Sequence, residues 1–219
     1  IIIDVTDDIV KQQQLESELD YDVMTRLLNR NAFRRKIHEM VLENPNKLGA
    51  LIFADLDNLK YINDNYGHAL GDNYIIAASE MFAIFRSIGG IVSRISGDEF
   101  AIFVYNFDNV QNMKSNIYKI INNSMNNTYI TLLDNEKFKI KASLGISLYG
   151  IDSKDINMLI KYADFAMYQC KYNSKGGIVE FDKEVYLKDK YLIQEKDYLK
   201  INKDYIYISD EILLEINKK

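Results

Sequence analysis

A mixed α+β domain, with a central, mostly antiparallel sheet flanked by helices, is the fold class the sequence predicts. Three observations carry it. Two β-rich apolar runs, "IVSRI" at 91–95 and "FAIFVY" at 100–105, are joined by the short polar link Ser96, Gly97, Asp98, Glu99, the pattern of an antiparallel hairpin. Between residues 21 and 182, helical and strand periodicities alternate. Hairpins mixed with long helices argue against a doubly wound parallel sheet.

The elements follow in order. Residues 1–20 read as a short strand leading through Asp7 and Asp8 into a Gln-rich helix with leucines at 15 and 19. A helix is expected over 30–43 and a buried strand over 50–56. A helix over 66–86 carries an apolar stripe at Leu70, Tyr74, Ala78, Met81 and Phe85. After the hairpin come a weakly patterned helix near 109–125 and a strand within "FKIKASLGISLY", 138–149. A helix through Ile156, Leu159, Ile160, Ala163, Met167 and Cys170 leads to a closing strand, "GIVEF", 177–181. Beyond 182 the chain mixes Lys, Asp, Glu, Tyr and Ile, and "DYIYIS" at 204–209 alternates like a strand.

Composition narrows the function. With 219 residues, 47% hydrophobic and a single proline, the chain suits one globular domain with extra segments at its ends. A net charge of −5 argues against a nucleic-acid surface, so an anionic substrate must be held by local cations. There is no apolar run long enough to span a membrane and no signal-peptide pattern. The lone Cys170 fits a reducing compartment, and the expected location is the cytoplasm, with any membrane tether outside this stretch.

Two acid clusters carry the chemistry. Asp98 and Glu99 sit at the hairpin tip, where Gly97 is free to take positive φ; a solvated turn is the plain alternative. In "LIFADLDNLKYINDNYGHALGD", 51–72, an apolar strand ends on Asp55 and Asp57, two apart and so on one side of an extended chain. If the strands are neighbours, Asp55 stands beside the hairpin acids. Gathered carboxylates repel unless a cation neutralises them, and hard oxygen donors favour Mg²⁺ or Mn²⁺. A polar sheet edge is the alternative.

"DYDVMTRLLNRNAF", "DLDNLKYINDNYGHALGD", "RISGDEF" and "ADFAMYQCKYNSKGG", in this order and at these spacings, resemble the GGDEF family of diguanylate cyclases over 21–182. The leading "IIIDVTDD" is similar to the last strand of a PAS sensor domain, which makes 1–20 the end of an upstream sensor and its signalling helix and leaves 183–219 an unassigned extension. The resemblance implies a nucleotidyl-cyclase, palm-like fold in which two facing subunits each hold one GTP and condense the pair to cyclic di-GMP and two pyrophosphates. It implies two Mg²⁺ or Mn²⁺ per active site, held by Asp55, the Leu56 carbonyl, Asp98 and Glu99. Catalysis falls to Asp98, Glu99 and Lys60. The phosphates fall to the backbone of Asn58 and Leu59 and to Lys171 and Lys175, with Gly97 letting backbone approach the nucleotide. Asn63 and Asp72 would read guanine, and His68 stands beside them. For Asn63, capping a helix is an equal reading.

Several positions depart from the family pattern. Ser96 replaces the first glycine of the signature turn. Met24 and Arg26 replace the usual Leu and Gly. Lys175 replaces an arginine, keeping the charge but losing the bidentate fork. Ser87 and Gly90 stand where many members carry a product-binding Arg and Asp. A catalytically silent regulatory module and a docking module are the competing functions.

Overall fold

The structure, a computed structural model, describes residues 20–133, 135–173 and 176–193, the last five by backbone alone. The strand and helix expected over 1–19 and the alternating run at 204–209 lie outside the described residues. The chain divides into two compact units between Phe181 and Asp182.

In the first unit, helix α1 (Arg30–Glu43) is capped by the Asn29 side chain, which accepts from Ala32 N. Strand β1 (Leu48–Asp57) leads through α2 (Leu59–Tyr66) to α3 (His68–Ala83) and a 3₁₀ turn, Ile84–Ile88. The hairpin strands are β2 (Ile91–Ser96) and β3 (Glu99–Phe107). They are followed by α4 (Val110–Asn127), the small strands β4 (Tyr129–Thr131) and β5 (Lys137–Lys139), β6 (Lys141–Tyr149), α5 (Ile156–Asn173) and β7 (Ile178–Glu180). The sheet runs β2-β3-β1-β6-β7, antiparallel throughout except for the β6–β7 pair. The expected mixed α+β architecture is the observed one.

β1 lies at the centre, and both of its faces are covered, which explains its unbroken apolar run. Ala50, Ile52, Ala54 and Leu56 pack in one cluster with Ile62, Tyr74, Met81, Phe82 and Ile117 from α2, α3 and α4. Leu51 and Phe53 face the other way, against Phe33 and Ile37 of α1 and Leu159, Ala163 and Met167 of α5. The two periodicities meet in this strand, with alternate residues feeding alternate cores.

The single helix expected over 66–86 is not what forms. Gly67, at φ 86°, ends α2 with its N–H on Asn63 O and opens α3, a conformation that favours glycine. At the other end Ile84–Ile88 tighten into a 3₁₀ turn closed by Gly89 at φ 76°. The stretch 138–149, within which one strand is expected, holds two, because Ile140 turns aside and its N–H donates to Thr128 O. β5 therefore pairs with β4, and only β6 joins the main sheet.

The second unit begins at α6 (Lys183–Ile193), where the Asp182 carboxylate accepts from Glu184 N at 2.8 Å and Val185 N at 3.1 Å.

The turn before α1 holds Arg26 at φ 56°, exposed, a left-handed conformation that costs a β-carbon residue about 1–2 kcal/mol. Arg26→Gly should raise stability by about 0.5–1 kcal/mol once glycine's greater unfolded-state entropy is deducted. Urea denaturation checks it, and a lower midpoint for the glycine variant would contradict the strain.

Candidate active site

The site is built where β1 ends beside the hairpin. Antiparallel register sets Asp55 opposite Glu99 on β3 and opposite Ser143 on β6. Leu56 N donates to Asp98 O at 3.0 Å, which ties the hairpin tip to the strand. The tip turns at Gly97, φ 40°, and a Cβ there would meet nothing within 4 Å, so this backbone is open to an approaching ligand. Arg94 braces the tip from below: its Nε donates to Gly97 O at 2.9 Å and its Nη1 to Asp22 Oδ1 at 3.2 Å. Ser96 does what the family's glycine cannot, donating its hydroxyl to Glu99 Oε2 at 2.6 Å.

The electrostatics are those of crowded acids. Asp55 is buried, and burial pushes its carboxyl up to about 6; the charges of Asp98 and Glu99 push the same way, and Lys171 opposes them. Lys171 Nζ stands 2.5 Å from Asp55 Oδ1, yet that buried oxygen has no partner in hydrogen-bond geometry. Asp57 is also buried and accepts from Ser143 Oγ, at 3.1 Å to each carboxylate oxygen. On α5, two turns before Lys171, Asp164 is pushed up to about 6 by burial and by Glu99, with Lys171 again opposing.

Among the described residues, no group of three or more His, Cys, Asp or Glu is gathered closely enough to form a finished cage for an ion. The donor set nevertheless fits a hard divalent cation. Asp55 presents a buried oxygen, ion-paired with Lys171, next to two further carboxylates whose charges raise the cost of ionising it. An ion here would relieve that repulsion.

The expected phosphate and base residues follow directly. Asn58, in the left-handed conformation at φ 68°, turns the chain from β1 into α2, whose first residues are Leu59 and the exposed Lys60. The amides of that first turn have no acceptor within the helix and come directly after the end of the strand. Asn63 lies inside α2, so the helix-capping reading of it is overturned. Its side chain packs onto α3 at Gly71, where a Cβ would stand 1.9 Å from Asn63 Oδ1 and displace it. That contact sets Asn63 beside the α3 turn carrying the exposed Asp72, and exposed His68 opens the same helix. Lys175 lies outside the described residues. Asp57, the second acid of the strand end, belongs to the same neighbourhood, as do Ser143 and Asp164, whose roles the sequence does not show.

Two features fall elsewhere. Ser87 to Gly90 close the 3₁₀ turn, with Gly90 packed so tightly that a Cβ would stand 2.8 Å from Phe85 O. A cleft of about 320 Å³ between Met40, Asn44, Ile88, Tyr105 and Phe107 opens at the opposite end of β1 and holds none of the expected residues.

An acid-tipped hairpin packed against an aspartate-ended central strand is thus set in a mixed sheet with helices on both faces, and solved GGDEF domains share this architecture. The chain superposes on the GGDEF domain of TpbB (YfiN) from Pseudomonas aeruginosa with a TM-score of 0.67 and 29% identity, covering 80% of this chain and 99% of that one. It belongs to the GGDEF family, residues 19–176 matching the model described as "Diguanylate cyclase, GGDEF domain". Among curated relatives, the diguanylate cyclase DgcN of Escherichia coli is 33% identical over 173 residues, 77% of this chain and 41% of that protein. The probable diguanylate cyclase DgcE of the same organism is 29% identical over 185 residues, 83% of this chain and 16% of that one. The chain thus spans well under half the length of these two relatives. Among the described residues, no helix is long and apolar enough to cross a membrane.

Proposed function

We propose that this domain is an active diguanylate cyclase of the cytoplasm, condensing two GTP into cyclic di-GMP and two pyrophosphates, and that it works as a homodimer under an upstream sensor. The observation that carries this reading is the meeting of Asp55, Asp98 and Glu99 at one strand end, beside Lys171 and the Asn58–Lys60 turn. The boundaries proposed are 1–20 for the sensor's end and signalling helix, 21–182 for the catalytic domain and 183–219 for an extension of unassigned role.

In each half-reaction a ribose 3′-hydroxyl gives up its proton to solvent, its oxygen bonds to the partner nucleotide's α-phosphorus, the bond from that phosphorus to the β-phosphate bridging oxygen breaks, and pyrophosphate leaves. Asp55, the Leu56 carbonyl, Asp98 and Glu99 would hold two Mg²⁺ or Mn²⁺. Such ions acidify the attacking hydroxyl and neutralise the triphosphate. Asp98 orients that hydroxyl, and Lys60 stabilises charge on the phosphates. The amides at Asn58 and Leu59, with Lys171 and Lys175, grip the terminal phosphates. Asn63 and Asp72 read the guanine edge, a carboxylate being suited to accept from N1–H and N2–H₂. His68 borders the base.

Each subunit holds one nucleotide, so two must face each other before both hydroxyls attack. Mass spectrometry of the products from GTP and Mg²⁺, at several protein concentrations, tests the reading. Cyclic di-GMP is expected, with specific activity rising as protein is concentrated. GTP binding without any cyclic product would show a silent module, and specific activity constant down to nanomolar protein would contradict the need for a dimer.

A further inference from the structure

We propose that Lys141 is a phosphate-binding residue of this site, supplying charge to the terminal phosphates of a bound nucleoside triphosphate. The inference rests on the nucleotide-site reading above, and it concerns a residue to which neither the sequence motifs nor the family match gives a role.

Lys141 is the first residue of β6 and the register partner of Asp57, the last residue of β1. Antiparallel partners project from the same face of a sheet. Ser143, two residues along, confirms that face by donating to the Asp57 carboxylate. Lys141 Cδ and Asp57 Oδ2 lie 3.6 and 3.7 Å from the point that a Cβ on Gly176 would occupy, so both side chains border the same small space. Lys141 therefore stands across from the residue after which the chain turns, through left-handed Asn58, into the amide end of α2.

The residue is held at its base and free at its head. Its backbone N–H donates to the Tyr74 hydroxyl at 2.9 Å, and that hydroxyl donates to Asp57 O at 2.9 Å. Tyr74 is fully buried, and burial pushes its hydroxyl up to about 12, so the bridge persists at any working pH. The side chain is exposed, and among the described residues its ammonium pairs with no carboxylate. Lys171, by contrast, is ion-paired with Asp55 and must share its charge between that carboxylate and a phosphate. A triphosphate brings three to four negative charges to a strand end rich in acids. An uncommitted ammonium on a fixed stem is the group that can answer them.

Calorimetric titration with 3′-deoxy-GTP, which lacks the attacking hydroxyl and cannot be consumed, and with 3′-deoxy-GMP tests the assignment in Mg²⁺ buffer. Lys141→Gln should weaken the triphosphate by about three- to tenfold and leave the monophosphate unchanged, while Lys141→Arg restores the triphosphate. Equal loss for both nucleotides, or loss for neither, would overturn the proposal. So would a wild type that binds no triphosphate. A wild type that binds the triphosphate through Lys141 yet forms no cyclic product would uphold this inference and overturn the proposed activity.

Discussion

Asp55→Ala and Asp98→Ala should each yield a folded protein that forms no detectable cyclic product from GTP. Asp55 is the buried member of the acid group and faces Glu99 in register, so its loss removes the carboxylate that the central strand contributes. Asp98 is held at the hairpin tip by its own carbonyl, which accepts from Leu56 N, so removing its side chain leaves that backbone link intact. Phosphoryl transfer relies on positioning and charge neutralisation, and losing a ligand of the required ions should lower turnover at least about 10³-fold. The fold should survive, and Asp55→Ala should even be stabilising at neutral pH. The Asp55 carboxyl is pushed from 3.8 up to about 6, so the native state binds the proton more tightly than the unfolded state does. Its ionised form therefore costs stability progressively as pH rises from about 4 through 6, and alanine removes that cost. Product formation at the wild-type rate by either variant would refute the metal-site assignment.

Gly145→Ala should be the most destabilising small substitution in the sheet. A Cβ at Gly145 would stand 2.0 Å from Ala163 O and 2.1 Å from Met167 N, both backbone atoms of α5 that no rotamer change can move. The helix must lift from β6, opening the cluster of Leu51, Phe53, Leu159, Ala163 and Met167. A loss of about 3 kcal/mol or more is expected, read as a lower urea midpoint. Because α5 also carries Lys171, the folded fraction of this variant should bind GTP less tightly. Stability within about 0.5 kcal/mol of wild type would show that α5 is not seated as described.

Much of this was legible in the sequence because the informative pieces are contiguous. The hairpin announces itself by two apolar runs around Ser96 to Glu99, and β1 by an apolar run ending in two aspartates. The break at Gly67 was hidden because the stripe from Leu70 to Phe85 has helical spacing wherever the helix begins, and α2 contributes only one buried residue, Ile62. β4 and β5, three residues each, carry too little pattern to be seen, and their pairing depends on Ile140 turning aside. In the site, Asp55, Asp98 and Glu99 were readable from strand logic, whereas Ser143, Asp164 and Lys141 gain meaning only from cross-strand register and the docking of α5. A lysine opposite a strand's last aspartate looks like any surface lysine until the register is known.

The central claim is that Asp55 and the hairpin acids form a cation-dependent nucleotide site. Water-proton relaxation measured during Mn²⁺ titration, with 3′-deoxy-GTP present, tests it without turnover. For the wild type the relaxation should rise to a saturating plateau as the ion takes on the slow tumbling of the protein, and for Asp55→Asn the midpoint should move at least about tenfold higher. Superimposable titrations for the two proteins would contradict the account.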